Sequence, residues 1–184
     1  MSDFDADTWR AELEQKREEK DEFFGEHPQS PIPPEERDDF DGVAYFDPDP
    51  AFRVEADLTH HAQPEPVPME TTNGPEVRYV RVATLSFELD GDAYELHGYK
   101  QRPDEGQPEP LFVPFRDKTT GQQTYEKGRY MELHVDGDLE DVDTVTLDFN
   151  LAYSPFCAFS DTFSCPLPPE ENWLETTIEA GERY

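Results

Sequence analysis

The groups in this chain whose type and spacing suit chemistry gather between residues 111 and 172. In order they are Arg116 with Asp117, Thr124 with Tyr125, Arg129, Asp148 with Asn150, and Cys157 with Cys165. Between 111 and 131 stand four of the fifteen basic residues and only two acids, a local balance of +2 in a chain of net charge −29. Arginine stays charged and its planar fork grips carboxylate or phosphate with two parallel hydrogen bonds. Arg116 and Arg129, joined by Thr124, Tyr125 and Asn150, would then hold a small anionic or polar ligand in a cleft formed by 114–130 and 148–157. If chemistry occurs there, Asp117 or Asp148 is the candidate general base. Cys157 is a weaker catalytic candidate, because a cysteine nucleophile needs a partner, usually His, to lower its pKa. The five histidines, at 27, 60, 61, 97 and 134, sit in no motif with it.

A structural reading competes on the same residues. Arg129 would pair with Asp117 or Asp148 inside the fold, Gly121 and Gly128 would permit turns, and the aromatics would be core. The block would then be a folding core in a structural or interaction module, with Phe156, Phe159 and Phe163 as the surface that pairs two copies into a homodimer. A hydrolase-type enzyme on the same site is the third alternative. Asp-x-Asn offers hard oxygen ligands, but no HxH or HExxH pattern supports a transition metal, so neither metal nor cofactor is expected. The Cys157–Cys165 spacing matches neither a CxxC redox pair nor a zinc knuckle. Buried thiols, a local disulfide and a metal-binding or reactive thiol all remain open. His60-His61 read as a polar loop.

The elements that would position these residues follow from periodicity. Residues 5–24 form a helix with Asp5 or Asp7 as cap, a narrow apolar stripe of Trp9, Leu13 and Phe23/Phe24, and i,i+4 pairs Glu12–Lys16 and Arg17–Asp21. Gly25 stops it. Residues 26–40 carry four prolines and form an extended connector that wraps the body. From 43 the period changes to two. Phe52, Val54, Ala56 and Leu58 mark one strand; Tyr79 to Leu89 mark a second, which turns at Asp90-Gly91 and returns through Tyr94, Leu96 and Gly98. Further strands are expected at 111–115, 129–135, 144–150 and 173–179, with a break at Asp136-Gly137-Asp138. Of the histidines, only His97 and His134 fall in predicted strands. On the 144–150 strand Asp148 and Asn150 would share a face, about 7 Å apart. The fold class is mainly β: an antiparallel β-sandwich or partly open barrel with one N-terminal helix, a single domain over 1–184 whose β body spans 43–182.

Thirteen Phe, eight Tyr and two Trp supply the core that few aliphatics could. The 44 acids are scattered through every segment, and Lys is rarer than Arg. That is the pattern of a surface adapted to molar salt, where the screening length falls to about 3 Å. It argues against nucleic acid, which needs a basic face. No signal peptide and no membrane-length apolar run appear, so a cytoplasmic protein is expected.

A longer pattern runs through the same block. Pro114-Phe-x-Asp-x-Thr-x-Gly-x-x-Thr-Tyr-x-x-Gly-Arg-Tyr130, Asp148-Phe-Asn-x-Ala-Tyr153, Cys157-Ala, Cys165-Pro-Leu-Pro-Pro169, Asn172 and Ala180-Gly-Glu182 follow one another, with Ser30-Pro31 and Phe40-x-Gly-x-x-Tyr45 upstream. This resembles a family of archaeal and bacterial proteins known only as a domain of unknown function, number sixteen eighty-four, here in a halophilic archaeal member. The resemblance covers nearly the whole chain and brings no settled activity. Where the family loop reads Tyr-Asn-Pro-Tyr-Cys-Ala-Tyr, this chain has Tyr153-Ser-Pro-Phe-Cys-Ala-Phe159, so two phenols and an amide are replaced.

Overall fold

The computed structural model describes residues 4–101, 110–135, 138–160 and 162–184. It opens with helix α1 (Ala6–Glu26), whose N-cap Asp5 accepts hydrogen bonds from the Asp7 and Thr8 amides. The helix outruns its expected end. Gly25 stays helical and His27 caps it, just before Pro28, whose ring cannot continue the ladder. The proline-rich connector is not wholly extended, since Pro34–Asp39 winds into a 3₁₀ turn, and Phe40 packs back on Phe24.

Among the described residues six strands follow: β1 (Arg53–Met69), β2 (Val77–Leu89), β3 (Asp92–Lys100), β4 (Leu111–Phe115), β5 (Arg129–Leu133) and β6 (Thr144–Asp148). They form one antiparallel sheet in the order β5-β4-β3-β2-β1-β6, curled into a half-barrel. The partly open barrel is the alternative realised, rather than two stacked sheets. Asp90 and Gly91 both take positive φ, the geometry that matches a two-residue turn to strand twist, and Leu89 pairs with Asp92.

β1 runs far beyond the expected 52–58 and takes in His60 and His61, which are therefore strand residues and not a loop. Pro64, Pro66 and Pro68 disguise it. They are spaced two apart, so the amides of Glu65, Val67 and Met69 remain for β2, while the prolines fall where β6, paired only to Arg53–Asp57, has already ended. Two expected strands are corrected at their ends: β5 stops at Leu133, leaving His134 outside it, and β6 stops at Asp148, whose carboxylate caps a 3₁₀ turn over Phe149–Leu151. The predicted break at Asp136-Gly137 lies outside the described residues.

The expected strand at 173–179 does not form. The segment from 152 onward instead laces across the sheet through scattered main-chain bonds. Tyr153 pairs with Tyr130, Arg116 donates to the Asn172 carbonyl (3.1 Å), Lys118 to Thr176 (2.9 Å), and Phe46 to Gly181 (2.9 Å). Beneath this lace lies the core, where Phe115 packs against Phe149 and Phe149 against Phe87. One stripe of α1, namely Trp9, Leu13, Arg17, Lys20 and Phe24, meets the body at helical spacing. Leu13 and Phe24 supply apolar contact; the other three supply polar bonds.

Candidate functional site

Arg129 sits on β5 opposite Phe115, and its side chain is 0% exposed. Its Nη1 donates to the carbonyls of Ala180 and Glu182, its Nη2 to the carbonyl of Ile178 (2.9 Å) and to Asp117 Oδ1 (3.4 Å), and its plane lies over the Phe115 ring. Burial pulls the guanidinium pKa down, and the Asp117 carboxylate pulls it back up. Asp117 in turn accepts from Thr119 Oγ1, Thr120 Oγ1 and the Ile178 amide (2.7 Å). Thr124 joins the node through the Thr119 hydroxyl (3.0 Å). Gly128, at φ +97°, makes the approach possible: a Cβ there would stand 2.8 Å from both the Phe115 carbonyl and Pro168. Every one of these bonds is internal, and together they pin residues 178–182.

Asp148 and Asn150 are neighbours, as their spacing predicts, although a 3₁₀ turn rather than a strand brings them together. Asn150 donates to Asp148 Oδ1 from its amide (3.0 Å) and side chain (2.9 Å), and exchanges two further bonds with the Asp49 backbone. The other Asp148 oxygen accepts from the Trp9 indole (2.8 Å). Arg116 lies apart, stacked over the half-exposed Trp173 ring. Among the described residues the seven polar candidates thus fall into separate groups: Asp117, Thr124 and Arg129 in one, Asp148 and Asn150 in another, Tyr125 beside Cys157, and Arg116 on Trp173.

A cavity of about 150 Å³ opens between α1 and the end of the sheet. The helix contributes Leu13, Lys16, Arg17 and Lys20; the body contributes Tyr45, Asn150, Leu151, Ala152, Tyr153 and Glu182. Lys20 pairs with Glu182, whose second oxygen accepts from the Ser154 amide (2.7 Å). Arg17 donates through Nη1 to the Phe46 carbonyl (2.9 Å) and lies over the Tyr45 ring. Its Nε and Nη2, the side-on fork, are buried with no partner among the described residues, and so is the Tyr45 hydroxyl. Burial, reinforced by Glu182 and Asp21, raises the Tyr45 pKa; burial lowers that of Arg17. Neither i,i+4 pair expected along α1 forms among the described residues. Arg17 reaches Phe46, and Asp21 accepts from the Val43 amide (2.8 Å).

The two thiols meet behind Tyr125. Cys157 is half-buried on a single 3₁₀ turn, and Cys165 is buried. The Tyr125 hydroxyl donates to Cys157 Sγ at 3.6 Å, and the Cys165 side chain lies within hydrogen-bonding reach of the same sulfur. These donors hold the Cys157 thiol down to about 6 against the opposing effect of burial, while Cys165, the donor of the pair, is pushed up. Both cysteines are free thiols. Nearby, Phe156 is 38% exposed and Phe159 and Phe163 are half-buried; Phe156 and Phe159 pack on Phe24, and Phe163 on Phe156. On the sheet, the Thr84 hydroxyl stands between His61 Nε2 (2.7 Å) and His97 Nδ1 (3.1 Å). No group of three or more metal-ligating side chains occurs among the described residues. No helix among them is long and apolar enough to cross a membrane.

Over residues 38–183 the sequence matches the family described as "Protein of unknown function (DUF1684)". The chain belongs to the DUF1684 family. It is also similar to an uncharacterised protein of Haloarcula marismortui, known from a solution NMR structure. The two share 64% identity over 97% of this chain and 95% of that one, with a TM-score of 0.75. No curated protein matches.

The DUF1684 match begins after α1, so the cavity has two origins. Tyr45, Asn150, Tyr153 and Glu182 belong to the DUF1684 part, whereas Lys16, Arg17 and Lys20 come from the helix before it. The sequence alone does not point to those three cations as a site, because Lys16 and Arg17 read as partners of Glu12 and Asp21 along the helix. The available signal was three basic residues within five positions of a mostly acidic helix.

Proposed function

We propose that this DUF1684 chain binds a small anionic ligand, a carboxylate or phosphate, in the cavity between α1 and the 150–153 turn. The observation that carries the reading is the unpartnered Nε–Nη2 edge of Arg17 beside a cavity that also gathers Lys16 and Lys20. Two buried N–H donors left unbonded cost about 1–3 kcal/mol each, and an anion that takes both recovers that cost with the bidentate geometry arginine favours. The edge is shut from solvent in the structure, so binding turns the Arg17 side chain off Tyr45 toward the cavity. A volume near 150 Å³ suits a ligand of roughly benzene size. The large negative charge elsewhere is no obstacle in molar salt, because a screening length of about 3 Å leaves only contact charges to decide.

This reading moves the ligand away from the 114–130 loop. There Arg129 is spent on carbonyls and Asp117, and the motif block acts as the folding core that holds the tail against the sheet. Whether the bound anion is also transformed is left to the same experiment.

The test is thermal shift and calorimetry in molar KCl against phosphate, acetate, pyruvate and succinate, with wild type and Arg17→Met. A bound anion at a hundred times its Kd adds about 2.7 kcal/mol of stability. We expect one of these anions to raise the wild-type midpoint and Arg17→Met, still folded, to lose the response. An unchanged wild type, or an equal shift in the variant, refutes the site. Analysis of the recovered anion by NMR reports any turnover.

A further inference from the structure

We propose that Cys157 and Cys165 form a redox-active dithiol that reduces a hydroperoxide, with Cys157 as the attacking sulfur and Cys165 as the resolving one. The proposal is independent of the anion cavity. It rests first on placement. The chain brings back its two cysteines, eight positions apart, so that each side chain lies within hydrogen-bonding reach of the other, one half-buried and reachable, the other buried. It rests second on the donors around one sulfur. The Tyr125 hydroxyl donates to Cys157 Sγ from 3.6 Å, and the Cys165 side chain lies within hydrogen-bonding reach of the same sulfur.

Such donors stabilise a thiolate, the reactive form of cysteine, without the histidine that a cysteine nucleophile usually employs. Thr72 also positions the resolving residue. Its hydroxyl accepts from the Cys165 amide (3.1 Å), and its own amide donates to the Cys165 carbonyl (3.0 Å). The adjacent half-buried Phe159 and Phe163 make the surroundings apolar, which suits an uncharged oxidant.

The step balances as follows. The Cys157 thiolate attacks one oxygen of the hydroperoxide, an S–O bond forms, the O–O bond breaks, and the departing alkoxide takes a proton from water. The Cys165 sulfur then attacks the sulfenic sulfur, the S–S bond forms, and hydroxide leaves with the Cys165 proton as water. Two thiols and one hydroperoxide give a disulfide, an alcohol and water. Two equivalents of a small-molecule thiol restore the dithiol by exchange.

Fully reduced protein in molar KCl at pH 7 is treated with one equivalent of hydrogen peroxide. Free thiols are counted and the mass is read. We expect both thiols to vanish together with the mass of two hydrogens, as one internal bridge. Cys165→Ser should stop at a sulfenic acid on Cys157 that a cyclic dione traps, and Cys157→Ser should oxidise about tenfold more slowly than Cys165→Ser. Wild type that keeps both thiols while free cysteine is consumed overturns the proposal, and so does a bridge between two chains. The wild-type result stands even if a variant fails to fold.

Discussion

Replacing Arg129 by Ala removes the charge at the centre of the 178–182 anchorage. The carbonyls of Ile178, Ala180 and Glu182 lose their donor, and the Asp117 side chain, 0% exposed, loses its counter-ion. Removing one partner of a buried pair costs about 3–5 kcal/mol. The orphaned acceptors would add about 1–3 kcal/mol each if they stayed dry, but the space left by a guanidinium admits water that bonds them. Asp117 also keeps its bonds from Thr119, Thr120 and the Ile178 amide. The expected loss is therefore about 4 kcal/mol. For a protein of this size it corresponds to a fall of about 8–16 °C in Tm. Urea denaturation in molar KCl, followed by tryptophan fluorescence, measures it, and calorimetry gives the Tm. Asp117→Asn combined with Arg129→Met, which removes both charges, should lie at least about 1 kcal/mol above the sum of its single variants, because each single change strands the other charge. A loss below about 1.5 kcal/mol for Arg129→Ala, or strict additivity in the cycle, would refute the view that this arginine is an internal clamp.

Gly181→Ala should cost at least about 2–3 kcal/mol: its φ is +80° and a Cβ would stand 2.6 Å from the Ala152 carbonyl. Gly91→Ala, at φ +84° with no atom within 4 Å, serves as the control and should cost only about 1 kcal/mol by the same urea assay. Alkylation of Cys157 by iodoacetamide should reach half its maximal rate near pH 6 and level off by about pH 7.5. The rate follows the thiolate fraction, so a folded-state pKa below the ordinary thiol range moves the rise to lower pH. The titratable groups facing that sulfur are Cys165 and Tyr125, and a rate still climbing at pH 8.5 would mean they do not hold the thiolate.

Much of the architecture was legible because it depends on neighbours in the chain. Asp5 caps α1 through amides two and three residues away, Asp90-Gly91 turns because its own φ values permit it, and the period-two runs of β2 and β3 report which face of each strand is buried. The adjacency of Asp148 and Asn150 was also local. The errors fell where local signals conflict with a partner. Three prolines made β1 look shorter than it is, because nothing local reveals that its outer edge is unpaired there. Residues 173–179 read as a strand because the pattern cannot show that their groups bond one at a time to separate partners: the Leu174 amide to the Arg116 carbonyl, the Thr176 carbonyl to the Lys118 amide and the Ile178 amide to the Asp117 carboxylate.

Only the tertiary path of the tail decided the chemistry. It took Arg129 out of any cleft by bringing three carbonyls to it from about fifty residues away. It set Glu182 against Lys20, 162 residues earlier, and so built the cationic cavity under α1. It turned two cysteines of unassigned spacing toward each other behind Tyr125. A sequence declares what each residue can offer within a turn or a strand. Which offers are met by distant groups, and which are left open for a ligand or a reaction, depends on where the chain returns.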